Sequence, residues 1–128
     1  MKLPSVPQLA RAQGAYFVVT GVWPLMHGTS FQALTGFKTN FWLAQLVGAL
    51  IALIGGVLVA AARQRPFAAE FAALGAGSAF LLGVADLLCV PLPETTRIYW
   101  ADAALEFGLV ALWVLAWRAT GRRTRSRG

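Results

Sequence analysis

The sequence predicts an all-α protein, a bundle of four transmembrane helices with both termini in the cytoplasm. Three observations carry this. Only 12% of the 128 residues are charged and 58% are hydrophobic, about half the charged fraction of a soluble domain, so lipid is the expected solvent. Four apolar stretches reach the roughly 18 residues that cross a hydrocarbon core. Lys and Arg collect on alternate flanks of those stretches, which sets the orientation.

The first span covers about Leu9 to His27. Lys2 and Arg11 ahead of an apolar core resemble a signal peptide. Trp23, Pro24 and His27, however, stand where small cleavage-site residues belong, so a retained helix is expected. The segment GTSFQALTGFK, residues 28–38, is long for a turn. Ser30 is placed to cap a single helical turn ending near Gly36 and lying flat at the outer interface.

The second span runs from about Phe41 to Ala62 with Asn40 as its N-cap, and the third from about Pro66 to Cys89 with Pro66 in its first turn. The fourth runs from about Thr96 to Trp117, capped by Thr95 or Thr96. Between the last two, VPLPETT holds two prolines and cannot continue a helix. Residues 1–128 thus form one integral membrane domain, ending in a basic cytoplasmic tail over 118–128.

Lys2, Arg11, Arg63, Arg65 and five arginines from Arg118 to Arg127 fall on one side of the bundle. Only Lys38 and Arg97 fall on the other. Nine against two puts both termini inside an inner (plasma) membrane and the loops around Lys38 and Pro93 outside. The net charge of +6 and isoelectric point near 10.8 do not indicate nucleic acid, because the basicity is a flank with no aromatic interleaving. Anionic lipid or a cytoplasmic partner suits it better. Cys89 is the only cysteine, which excludes an intramolecular disulfide or a CxxC pair and leaves a small packing residue.

Small residues let helices approach closely in lipid. The second span has Ala44, Gly48, Ala52, Gly56 and Ala60 at i, i+4 spacing, and the third has Gly75, Ala79 and Gly83. These two spans are expected to form the tight centre of the bundle, in preference to a dimer face.

Ionisable residues within a membrane are costly and mark sites by default. Tyr16, Thr20, Trp23 and His27 form one stripe of the first span, and Trp42 and Gln45 share a face of the second. Asp86 continues the small-residue ridge of the third. In the fourth, Tyr99, Asp102 and Glu106 form a stripe extended by Trp113 and Trp117, two residues assigned to the inner interfacial belt. By rise per residue, Asp86 and Asp102 lie roughly 5–10 Å below the outer boundary and Glu106 about 15 Å. His27 and Gln45 lie at comparable outer depths. The other half offers only Glu70, which Arg63 or Arg65 can neutralise.

The predicted site is therefore an outward-facing polar pocket for a small molecule, cation or lipid-like ligand. Glu106 and Asp102 are its main contacts, His27 and Asp86 are secondary, and Trp23, Trp42, Gln45 and Tyr99 are its walls. Lys38 and Arg97 are the outer cations that can balance the acids. Interhelical fastening is the competing role, although such bonds contribute only about 0.6 kcal/mol on average, which Ser or Asn could supply at less cost.

A docking subunit of a larger membrane complex or a homo-oligomer is the second reading. An enzyme using His27 and an acid for proton transfer is the third, and a non-enzymatic role is preferred to it. No cofactor is expected, and no close-spaced ligand pair such as HxxxH supports a metal site. The run GVWPLMHGTSFQALTGFKTNFWLAQLVGALIALIGG, followed by the acidic pair on the last helix, resembles small bacterial four-helix membrane proteins. That resemblance implies the fold and brings no activity with it.

Overall fold

The computed structural model describes residues 3–36, 40–89 and 97–126. The described chain is all helical: α1 (Val6–Met26), α2 (Gly28–Thr35), α3 (Phe41–Ala61), α4 (Ala69–Cys89) and α5 (Ile98–Ser126). Phe41–Ala61, Ala69–Leu88 and Ile98–Arg123 are long and apolar enough to cross a membrane, with mean hydropathies of 2.4, 1.8 and 1.5. The fourth expected span, α1, is as long as α3 but falls short of that apolarity, since Gln8, Arg11 and Gln13 occupy its first half.

Helix ends follow local chemistry. Ser5 accepts from the Gln8 amide while the Gln8 side chain accepts from the Ser5 amide, a reciprocal box that starts α1 before the expected Leu9. The short helix expected after His27 is present as α2, but its N-cap is His27 in place of Ser30. It ends at Gly36, whose φ of 76° is a left-handed conformation that glycine adopts without steric cost. Asn40 does occupy the N-cap of α3, but in the left-handed region and without a side-chain bond to the helix. Pro66 precedes the first turn of α4 instead of occupying it, because that helix starts at Ala69. The basic tail continues α5 as helix as far as Ser126. Thr95, Thr96 and VPLPETT lie outside the described residues.

The pairing of helices corrects the expected one. α3 packs chiefly on α1, and α4 on α5, whereas α3 and α4 barely meet. Gly14 and Gly21 of α1 are spaced like Gly48 and Gly55 of α3, seven residues apart, and the two pairs meet backbone to backbone. A Cβ at Gly14 would stand 2.6 Å from the Gly55 carbonyl oxygen, and one at Gly21 would press on the Gly48 carbonyl and the Ala52 amide. Gly56, placed on the expected ridge, faces open space. On α4, Gly75 and Gly83 receive large rings of α5: added methyls would meet Trp113 and Phe107 at 2.6 and 3.0 Å. A row of small residues thus marks a contact face without naming its partner. Matched spacing joins α1 to α3, and ring-into-hollow packing joins α4 to α5.

The two pairs join at the end away from α2. There Val6, Leu9, Ala10, Leu58, Ala62 and Trp113 are part of one buried cluster. Trp113 is 1% exposed, so it is a core residue and not the belt residue expected, while Trp117 remains exposed. Gln13, also 1% exposed, fastens this layer. Its Nε2 donates to the Gly75 carbonyl at 2.8 Å, and its Oε1 accepts from Trp113 Nε1 at 2.6 Å. Three helices meet through one side chain whose oxygen and nitrogen are both used.

Candidate functional site

Above the Gln13–Trp113 layer the two pairs separate and enclose a cavity of about 510 Å³. Tyr16, Thr20 and Trp23 face it from α1, the phase expected from their i, i+4, i+7 spacing. Leu43, Val47 and Ile51 line it from α3, Leu82 and Asp86 from α4, and Tyr99, Asp102 and Glu106 from α5. Phe31, Leu34 and Thr35 of α2 close the end. No Cα of α3 comes within 8 Å of one in α5, so that wall is open. Its edges are exposed apolar side chains, among them Val47, Ile98 and Leu105.

Local structure places the polar groups. Asp102 and Glu106 are one helical turn apart and share a face of α5. Asp86 follows Gly83 by three residues, so the ridge that receives Phe107 also turns Asp86 toward α5. Asp86 and Asp102 line the same cavity from α4 and α5. The Tyr16 hydroxyl crosses from α1 to donate to Asp102 Oδ1. The Thr20 hydroxyl is occupied locally, donating to the Tyr16 carbonyl at 2.7 Å.

Asp86 is 6% and Glu106 1% exposed. One oxygen of each, Asp86 Oδ2 and Glu106 Oε2, is buried without a hydrogen-bond partner. Buried polar atoms almost always have partners, and each exception calls for an explanation. No Lys, Arg or His among the described residues lines the cavity. The same residues contain no group of three His, Cys, Asp or Glu side chains arranged to hold a metal ion.

The predicted residues divide accordingly. Glu106, Asp102, Asp86, Tyr99 and Trp23 converge on the cavity. His27 does not. It is exposed, and its Nδ1 accepts from the Ser30 amide at 3.3 Å and lies 2.7 Å from Ser30 Oγ, so it starts α2 and contributes nothing to the acidic wall. Gln45 donates to the Pro24 carbonyl at 3.4 Å, and Trp42 is 62% exposed on the outer surface of α3; neither lines the cavity. Trp23 does two things, lining the cavity and holding α2 in place by donating from Nε1 to Ser30 Oγ at 2.7 Å. Lys38 lies outside the described residues, and Arg97 is exposed and off the cavity wall.

Sequence reasoning missed Gln13 altogether and did not count Tyr16 in the site. The signal for Tyr16 was its stripe. For Gln13 it was an amide within an otherwise apolar turn, with Trp113 seven residues past Glu106 on the same face of the last helix. No protein-family model, curated protein or solved structure matches the chain.

Proposed function

We propose that the chain is a four-span bacterial inner-membrane protein whose polar cavity binds or passes a small molecule, cation or lipid-like ligand. The observation that carries this is the pair of buried, unpartnered carboxyl oxygens on Asp86 and Glu106, two residues that line the same cavity. A fastening residue would have its partners, as Gln13 does. A carboxylate kept buried and unpaired is costly in lipid, so its place in the wall of a cavity supports a binding role. With both termini inside, as the nine-to-two distribution of Lys and Arg supports, the cavity lies in the outer half, beneath the interfacial helix α2. The α1–α3 glycine contact, spanning Gly14 to Gly21, supports counting α1 as the fourth span.

The test is ligand binding to the purified protein and to Glu106→Gln, which keeps side-chain size. Loss of affinity with the helical signal and elution volume unchanged is expected, and an unchanged binding curve would defeat the reading.

One observation favours a docking role in a larger membrane complex: Gly56, Gly77 and Gly108 have nothing within 4 Å of a would-be Cβ, leaving small-residue surface for another helix. Sizing in mild detergent separates the two. A stoichiometric partner supports docking, and a lone chain or homodimer supports the pocket.

A further inference from the structure

We infer that the cavity selects a lipophilic organic cation: one positive charge, no anionic group, carried on an aromatic or branched apolar body. This rests on the pocket reading above and names the chemistry that the pocket accepts.

Three features of the cavity converge on that class. The first is charge. Asp86, Asp102 and Glu106 are the ionisable carboxyls facing it, Tyr16 and Tyr99 add hydroxyls, and the segments of α1, α2 and α3 on its wall bring no Lys, Arg or His. Arg118 and Glu70 stand at the far ends of their helices, three or more turns from the acids. A positive charge in the cavity would therefore meet a wall carrying Asp86, Asp102 and Glu106, two of which bury an oxygen without a partner. An anion would find no cation on that wall among the described residues.

The second is the remaining wall. Trp23, Phe31, Ile51 and Leu82 provide aromatic and aliphatic surface, and the Trp23 and Phe31 rings meet edge-on at 5.6 Å. Such a wall holds an organic cation through apolar burial and ring faces. It cannot replace the hydration shell of a small inorganic ion. At about 510 Å³ the space is in the range of small-molecule sites.

The third is access. The open wall between α3 and α5 is edged by apolar side chains, so a solute dissolved in the bilayer enters sideways. Zwitterionic phospholipids share this route, but their phosphate would be brought against three carboxyls, which excludes them by the same charge argument.

The experiment uses the full chain in phosphatidylcholine nanodiscs, with uptake measured by equilibrium dialysis in excess of empty discs. The probes are tetraphenylphosphonium, tetraphenylborate of the same shape and opposite charge, and neutral triphenylphosphine oxide. Saturable binding of the phosphonium at about one per chain is expected, weaker by about tenfold or more in Glu106→Gln. Asp102→Asn, at a half-buried position, should weaken it in the same direction and provides the readout if Glu106→Gln fails to fold. Tetraphenylborate should show no saturable excess. Saturable binding of the neutral or anionic probe at least as tight as that of the phosphonium overturns the cation class and leaves the pocket standing. Saturable binding of none of the three overturns both.

Discussion

Gln13 and Glu106 are equally buried, each 1% exposed, and differ in what surrounds them. Gln13 uses its oxygen on Trp113 and its nitrogen on the Gly75 carbonyl, at the level where α1 is fastened to α4 and α5. Glu106 stands less than two turns along the same stripe of α5 from Trp113, and one of its oxygens has no partner. One half of the molecule spends its polar groups on fastening helices, and the other holds them unspent around a cavity. Burial by itself does not separate a fastener from a site. Hydrogen-bond completeness does.

That contrast can be broken by substitution, and the effects should fall in a clear order. Gly48→Leu should be the most damaging, because its side chain would press on the Gly21 backbone and Pro24. A loss of about 3 kcal/mol is expected from overpacking a backbone contact, read as a lowered unfolding midpoint in detergent titration. Next is Gln13→Leu, which strands the Trp113 indole N–H and takes one donor from the Gly75 carbonyl, which still accepts from Ser78 Oγ. It should cost about 1–2 kcal/mol in the same assay and leave ligand binding in place. Glu106→Met should act in the opposite direction. Removing an unpartnered buried carboxyl at similar volume should be neutral or stabilising by about 1 kcal/mol while binding is lost, the trade expected of a site. A large destabilisation by Glu106→Met would make that residue a fastener after all. The smallest change is Gly56→Ala, where nothing lies within 4 Å. It should move the midpoint by no more than about 0.5 kcal/mol, and a clear loss would show that this surface is occupied by another helix.

Much of the candidate site was legible because helical phase is a one-dimensional property. Tyr99, Asp102 and Glu106 share a face by spacing alone, as do Tyr16, Thr20 and Trp23, and all six reach the cavity. Phase failed for His27, Gln45 and Trp42 because they sit at helix ends, where backbone groups need partners and lipid lies close. His27 was taken up by capping α2 and Gln45 by the Pro24 carbonyl, while Trp42 turned outward. Depth along the span had placed these residues level with the acids, but level is not direction.

By itself, the sequence determined the helical class, the α2 segment with its terminating Gly36, three apolar helices and the acidic stripe of α5, since these follow from composition, periodicity and local capping chemistry. Only the tertiary structure decided which faces meet. The small-residue row of α3 fits any close-packing neighbour, and the choice of α1 over α4 came from the matched seven-residue spacing of Gly14 and Gly21 with Gly48 and Gly55. The same choice left α3 and α5 apart, and that separation turns three acids on two helices into the wall of a cavity. Pairing depends on complementarity between two surfaces, which no single helix contains.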